Sequence, residues 1–315
     1  MRGIVVAVGL VACGDAPATA PDAAGDAAPA DAGATCLPSA TIPLAIDHGA
    51  FPATTDHPNV LVYVPARFAL DAAAPIDLVV YIHGFSNCVT NVLGDTDTAC
   101  TTGGAARSSY GLATQFEAAD RNAILILPEV AYDQAAGDPG ALGTTDGFHA
   151  LLVDTLAHLP PPLGPLDPSR IGRVVVASHS GGYVAVSAMA TIGNVPTREL
   201  WLFDSLYGEE ARFDAYVQDD LASFVAPDRR FAIVYTDGGG TLANSQAMAD
   251  RAATWTAGEP AVLVDDRTTS TWTDDIYRHG LLFKHSALSH DGVPRYYVEH
   301  MLATSGSLAA RTCAP

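Results

Sequence analysis

The stretch RVVVASHSGGY, residues 173–183, decides the fold of this 315-residue chain. Residues 174–177 are apolar or small and lead into Ser-His-Ser-Gly-Gly at 178–182. A short β-branched run that meets a glycine-rich turn predicts a buried strand with a sharp end. The next segment contains the small residues Ala185, Ser187, Ala188 and Ala190. This pattern predicts a helix packed closely on a sheet.

A strand, a sharp turn with a central serine and a helix together resemble the nucleophile elbow of the α/β-hydrolase superfamily, whose usual pattern is Gly-x-Ser-x-Gly. Ser178 stands where that pattern has its first glycine, so the match is small-x-Ser-x-Gly. Taken alone, the five residues would also suit a plain loop of serine and glycine. The resemblance implies that Ser180 is the nucleophile of a serine hydrolase.

Strand-like and helix-like segments alternate along the rest of the chain. Apolar runs predict strands at residues 59–64, 76–82, 122–128, 199–203, 231–235 and 261–264, with 281–283 extending or pairing with the last of them. Helical spacing predicts helices at 111–119, 148–159 and 242–255, and a final helix that starts near 291. This alternation predicts a mostly parallel central sheet with helices on both faces. The connection after Asp204 has room for about one helix and no large cap domain.

A second match to the superfamily follows the strand at residues 76–82, where the chain reads His83-Gly84-Phe85. In α/β-hydrolases this turn supplies one oxyanion-hole N–H, and the residue after the nucleophile supplies the other. The resemblance therefore implies an oxyanion hole formed by the N–H groups of Phe85 and Gly181, with His83 and Gly84 shaping the turn. The long loop at 129–145 is expected to form a wall of the site.

The rest of the triad is expected in the order typical of the fold, serine, then acid, then histidine. His290, in the loop expected after the last strand, is the predicted base, and His285 is the alternative. Asp204 and Asp237 each follow an apolar strand at its carboxyl end, where open α/β sheets bind ligands. Asp204 is favoured as the acid because its neighbours are apolar and it needs a partner, whereas Asp237 also suits a turn. His179 is expected to point elsewhere.

The N-terminus resembles that of an exported bacterial lipoprotein. Residues 1–12 carry an arginine and then an apolar run too short to span a bilayer, which is typical of a signal peptide. Leu-Val-Ala-Cys at 10–13 resembles the lipobox, which implies lipidation of Cys13 and anchoring at the periplasmic face or the cell surface. A buried first strand with an incidental cysteine is the alternative. Residues 13–35 predict a disordered tether, so the hydrolase domain is expected at 36–315.

Four cysteines remain for the exported domain, and an even number in that setting predicts disulfides. Cys88 and Cys100 share one loop, whereas Cys36 and Cys313 lie at the two ends of the domain, which are often close in space. We therefore favour these two pairings among the three that four cysteines allow. The chain has no Cys-x-x-Cys pair, and neither a metal site nor a cofactor is expected.

The acidic composition of the chain limits the kinds of binding partner that we expect. A formal net charge of −19 argues against nucleic acid, and against any membrane contact other than the lipid anchor. The sequence predicts an exported serine hydrolase that cleaves small or polymeric carboxylic esters, similar to secreted esterases of the polyhydroxybutyrate-depolymerase and feruloyl-esterase type. The alternatives are an acyltransferase or peptidase on the same machinery and a non-catalytic binding module; the oligomeric state is left open.

The anchor can be tested with Cys13→Ser. The variant should move from the membrane fraction to the soluble fraction, because it lacks the sulfur that carries the lipid. Cell fractionation would measure this move, and intact-mass spectrometry would measure the loss of the lipid mass. Thr19→Ala in the same segment is the matched control. Membrane association and mass that do not respond to Cys13→Ser would contradict the lipoprotein interpretation.

Overall fold

The computed structural model describes residues 34–52, 58–131, 138–225, 229–271, 273 and 276–314. The chain divides into a unit Met1–Gly33 and a unit Ala34–Pro315. The predicted signal peptide, Cys13 and the tether up to residue 33 lie outside the described residues. The tether was expected to reach residue 35, but Thr35 begins the first strand, because its backbone pairs with that of Leu70.

Thirteen strands occur within the described residues: β1 Thr35–Leu37, β2 Ala40–Leu44, β3 Val60–Val64, β4 Phe68–Leu70, β5 Ile76–Ile82, β6 Thr98–Ala99, β7 Ala106–Arg107, β8 Ala123–Pro128, β9 Ile171–His179, β10 Thr197–Phe203, β11 Arg230–Thr236, β12 Leu263–Asp266 and β13 Leu281–Ser286. Nine of them form the central sheet in the order β12-β13-β11-β10-β9-β5-β8-β3-β2. β3 runs antiparallel to both of its neighbours, and the other adjacent pairs are parallel. The predicted mostly parallel sheet is confirmed.

Seven α-helices cover the sheet within the same ranges: α1 Val89–Leu93, α2 Leu112–Ala119, α3 Gly147–Ala157, α4 Tyr183–Ile192, α5 Glu210–Gln218, α6 Leu242–Trp255 and α7 Gly292–Ala303. Alternate residues of each central strand feed two separate cores, so Val174 and Val176 belong to one and Val175 to the other. The first core receives α3 to α6, and the second receives α1, α2 and α7. Helices therefore lie on both faces, as predicted. Among the described residues, none of the helices is long and apolar enough to cross a membrane.

The ends of the sheet differ from the sequence-based expectation. β12 lies at Leu263–Asp266, two residues later than predicted, and β13 pairs with it in parallel and continues to Ser286. Backbone pairing with β11 carries the strand to Ser286, and the buried ammonium group of Lys284 binds the Asp266 carboxylate of β12 at 2.8 Å. Between β10 and β11 the described residues hold α5 and a short 3₁₀ turn at Leu221–Val225, so no large cap domain covers the sheet there.

Both cysteine pairs favoured from the sequence are bonded in the structure. Cys36 bonds to Cys313 across 277 residues, and Cys88 bonds to Cys100 across 12. The first bond joins β1 to the segment after α7. The second closes the loop that follows the His-Gly turn and contains α1.

Loss of the long-range disulfide should destabilise the domain more than loss of the local one. In the chain-entropy model, a bond that closes so long a loop contributes about 5.6 kcal/mol to the free energy of unfolding, and one that closes a short loop about 3 kcal/mol. Urea denaturation of Cys36→Ser/Cys313→Ser, with Cys88→Ser/Cys100→Ser as the comparison, measures both. A larger loss in the Cys88 and Cys100 variant would contradict this ranking.

Candidate active site

The turn at Ser180 has the geometry of a nucleophile elbow. Ser180 follows β9 with φ 52°, in the left-handed region that a non-glycine residue seldom occupies. The neighbouring backbone is packed against it: a Cβ on Gly84 would lie 2.7 Å from the Cβ of Ser180, and one on Gly182 would lie 2.9 Å from Ile82 Cγ2. Only glycine fits at these two positions, so the turn is held tightly against the end of β5.

Ser178, which replaces the first glycine of the motif, is fully buried and has a partner of its own. Its hydroxyl lies 2.8 Å from the hydroxyl of Ser205, and Ser205 donates to the carbonyl of Ser180 at 2.8 Å. Because the proton of Ser205 is used in that bond, Ser178 must donate to Ser205. The substitution therefore leaves no buried polar group unpaired, and it ties the elbow to the end of β10.

Asp204, directly after β10, is brought together with His290. The Nδ1 of His290 lies 2.7 Å from Asp204 Oδ2, and the Asp204 side chain is fully buried. Thr236 donates to the same carboxylate through its backbone N–H at 3.1 Å and its hydroxyl at 2.7 Å, and the hydroxyl of Thr241 donates as well. Burial alone would raise the pKa of Asp204, but the hydrogen bonds from His290 and the threonines lower it below its ordinary value. The carboxylate is therefore an acceptor that fixes His290 with Nδ1 as the donor.

The alternative acid and base form a different pair. Asp237 Oδ1 lies 3.0 Å from His285 Nε2, and His285 Nδ1 lies 3.1 Å from the carbonyl of Arg267. The Asp237 side chain is 73% exposed, whereas that of Asp204 is 0% exposed. Both ring nitrogens of His285 are already engaged, so the geometry favours Asp204 and His290 over Asp237 and His285.

Two hydrogen bonds to the Gly84 carbonyl fix the backbone of the His-Gly turn, and the oxyanion hole at Phe85 and Gly181 stays a prediction. His83 Nδ1 donates to the carbonyl of Gly84 at 2.9 Å, and the N–H of Asn87 donates to the same oxygen at 3.2 Å. In a planar trans peptide the C=O and the following N–H point in opposite directions, so the N–H of Phe85 is directed away from His83. Burial would lower the pKa of His83, but the Glu129 carboxylate, 2.9 Å from Nε2, outweighs burial and raises it.

The sequence analysis expects His179 to point away from the other site residues. The structure instead places its side chain against His290. Its Nε2 lies 3.2 Å from the carbonyl oxygen of His290, and its Nδ1 lies 2.7 Å from the hydroxyl of Tyr110. The ring centroids of His179 and His290 are 4.3 Å apart. Sequence reasoning missed Tyr110 altogether, because nothing in its local pattern indicates a contact with a residue 69 positions away.

Three large side chains from segments that hold predicted site residues are exposed. Phe85, Tyr207 and Leu288 are exposed by 49%, 36% and 39%. Burial raises the pKa of the Tyr207 phenol to about 12, and its contact with the Ser180 side chain acts in the opposite direction. Within the described residues, no hydrogen bond joins Ser180 directly to His290. The His290 side chain is 31% exposed. Of the loop at 129–145, expected as a wall, residues 132–137 lie outside the described residues.

The fold and this constellation define an α/β-hydrolase fold, as the elbow sequence predicted. The structure is similar to the feruloyl esterase module from Clostridium thermocellum complexed with sinapinate, with a TM-score of 0.51, 10% identity, and coverage of 90% of this chain and 97% of that one. It is also similar to a ferulic acid esterase, with a TM-score of 0.51, 11% identity, and coverage of 85% and 98%. A comparison with protein-family models found no match, and neither did a comparison with curated protein sequences. At these identities the likeness establishes the fold.

Proposed function

We propose that this chain is an exported serine hydrolase that cleaves carboxylic esters, with Ser180 as nucleophile, His290 as base and Asp204 as the orienting acid. The observation that carries the proposal is the 2.7 Å bond from His290 Nδ1 to a fully buried Asp204, and it is joined by the elbow-like, positive-φ backbone of Ser180. A serine hydroxyl is a weak nucleophile until an adjacent base takes its proton, and this arrangement supplies such a base. The two similar structures carry the name of esterases, which agrees with this assignment.

In the proposed first step, Ser180 Oγ attacks the ester carbonyl carbon, and its proton passes to Nε2 of His290. Asp204 accepts the Nδ1–H throughout and stabilises the imidazolium that forms. The oxyanion of the tetrahedral intermediate accepts hydrogen bonds from the backbone N–H groups of Phe85 and Gly181. Collapse of the intermediate breaks the ester C–O bond, and the departing alcohol takes the proton from His290, which leaves the acyl group on Ser180.

The second step returns the enzyme to its starting state. Water attacks the acyl carbon while His290 takes one of its protons, and collapse of the second intermediate releases the carboxylic acid and returns that proton to Ser180. Hydrogen bonds between nucleophile and base are often long without substrate and tighten in the complex. This agrees with the lack of a direct bond from Ser180 to His290. The open rim with Phe85, Tyr207 and Leu288 suits a bulky or polymeric ester as well as a small one.

Two observations support the proposed export of the protein. Two disulfide bonds are typical of proteins that fold outside the reducing cytosol. Together with the lipobox-like sequence at residues 10–13, they support export and anchoring through Cys13.

Ser180→Ala tests the nucleophile. Labelling by a fluorophosphonate should disappear, and ester hydrolysis should fall to the residual rate that binding and the oxyanion hole support, about 10³–10⁴-fold above the uncatalysed reaction. Ser169→Ala, at a serine near the amino end of β9, is the matched control and should keep both signals. Circular dichroism checks that the variants fold. A folded Ser180→Ala protein that hydrolyses p-nitrophenyl esters at the wild-type rate would exclude this serine as the nucleophile.

Paired substitutions test the choice of acid. Asp204→Asn should lower kcat by about 10⁴-fold, because the amide no longer holds the productive tautomer of His290. Asp237→Asn changes an exposed pair instead and should lower kcat far less. Steady-state kinetics on one ester substrate gives both values. The opposite ranking would move the role of the acid to Asp237.

A further inference from the structure

His179 directly precedes the elbow serine in the chain, its ring centroid lies 4.3 Å from that of His290, and the proposed mechanism gives it no role. Its side chain is buried, and each ring nitrogen has one partner: Nδ1 lies 2.7 Å from the Tyr110 hydroxyl and Nε2 lies 3.2 Å from the carbonyl oxygen of His290. The His179 ring therefore connects the backbone just before Ser180 with the backbone of His290.

The partners decide where the proton of His179 sits. A carbonyl oxygen can only accept, so Nε2 must carry the hydrogen. A neutral imidazole has one N–H, so Nδ1 has a free lone pair and accepts from the hydroxyl of Tyr110. Burial agrees with a neutral ring, because it lowers the pKa of His179 to about 3; the nearby His290 also lowers it, and Asp204 acts in the opposite direction.

We infer that His179 is a positioning residue: as a neutral Nε2–H imidazole it holds the backbone of His290, and thereby the base, in register with Ser180. This inference rests on the proposed function. His290 is then fixed at two points, its ring by Asp204 and its carbonyl by His179. Because His179 and Ser180 are adjacent in the chain, the elbow and the loop of the base are joined directly. The same His290 carbonyl also accepts from the backbone N–H of Val293 at 3.4 Å, but that bond lies within its own loop, so the bond from His179 is the one that ties this loop to the elbow.

The neutrality of His179 also matters during turnover. His290 becomes a cation when it takes the proton of Ser180, and the two rings are only 4.3 Å apart. A second positive charge at that distance would disfavour proton transfer. The hydroxyl of Tyr110 holds His179 in the neutral tautomer, and Tyr110 is itself buried and held through its carbonyl by Gln115 Nε2 at 2.7 Å.

Three substitutions separate the parts of this assembly. His179→Leu removes the donor to His290, and we expect kcat to fall by about 10²-fold, the cost of a small misplacement of a reacting group, with KM little changed. His179→Gln keeps an amide N–H near the position of Nε2 and should therefore recover most of the kcat that His179→Leu loses. Tyr110→Phe removes one hydrogen bond and frees the tautomer, so kcat should fall by about tenfold or somewhat less.

Tyr63→Phe is the matched control, because its hydroxyl is also largely buried and donates one hydrogen bond, to Glu117 Oε1 at 2.7 Å, away from the site. It should leave kcat unchanged. Urea denaturation of every variant separates a loss of stability from a loss of positioning, and Tyr110→Phe provides a second test should His179→Leu fail to fold.

The outcomes distinguish this inference from the proposed function. A folded His179→Leu or Tyr110→Phe protein with the kcat of the wild type would overturn it, as would a His179→Gln variant no better than His179→Leu. It would also be overturned if Tyr63→Phe lowered kcat as much as Tyr110→Phe. A wild type that cleaves no ester and takes no label at Ser180 would instead overturn the proposed function, and the positioning role with it.

Discussion

A buried carboxylate must be satisfied wherever it lies, and Asp204 forces three distant segments of the chain to meet. Thr236 comes from the end of β11, Thr241 from the residue before α6, and His290 from the loop before α7. The backbone also closes over the carboxylate: a Cβ on Gly239 would lie 1.9 Å from Asp204 Oδ2. The glycine run after Asp237, where the sequence suggested a competing acid, thus allows the chain to pass over Asp204.

A second constraint is conformational. Ser180 and Asp204 both have positive φ, 52° and 46°, and such backbone persists only where its surroundings hold it. Ser205 supplies part of that hold, because it follows Asp204 directly and donates to the carbonyl of Ser180. Ser178, an imperfection of the motif when read as a sequence, adds a donor to the same link. Ser180 and Asp204 therefore both have strained backbone, and one short network of hydroxyl groups links the two turns.

The parts of the structure that the sequence predicts are those with a local signal. Central strands such as β5 and β9 are apolar along their length because both faces of the sheet are buried. β1 and β4 were missed because each has three residues and pairs with a partner more than thirty positions away. The pairing of Asp204 with His290 could be predicted only through a family resemblance, since 86 residues separate them and no local pattern links them. The contact of His179 with Tyr110 has neither kind of signal, so only the three-dimensional arrangement reveals it.

The bond from Cys36 to Cys313 gives the domain the topology of a ring. Every strand of the central sheet and every helix described above lies between these two cysteines in the chain. Exposed loops are the preferred points of attack by peptidases. A single cut inside this ring opens it without producing two molecules, because the fragments stay covalently joined through the cystine. Their reassociation would then be intramolecular, independent of protein concentration, and the nicked domain could refold as one body until a reductant separates the pieces.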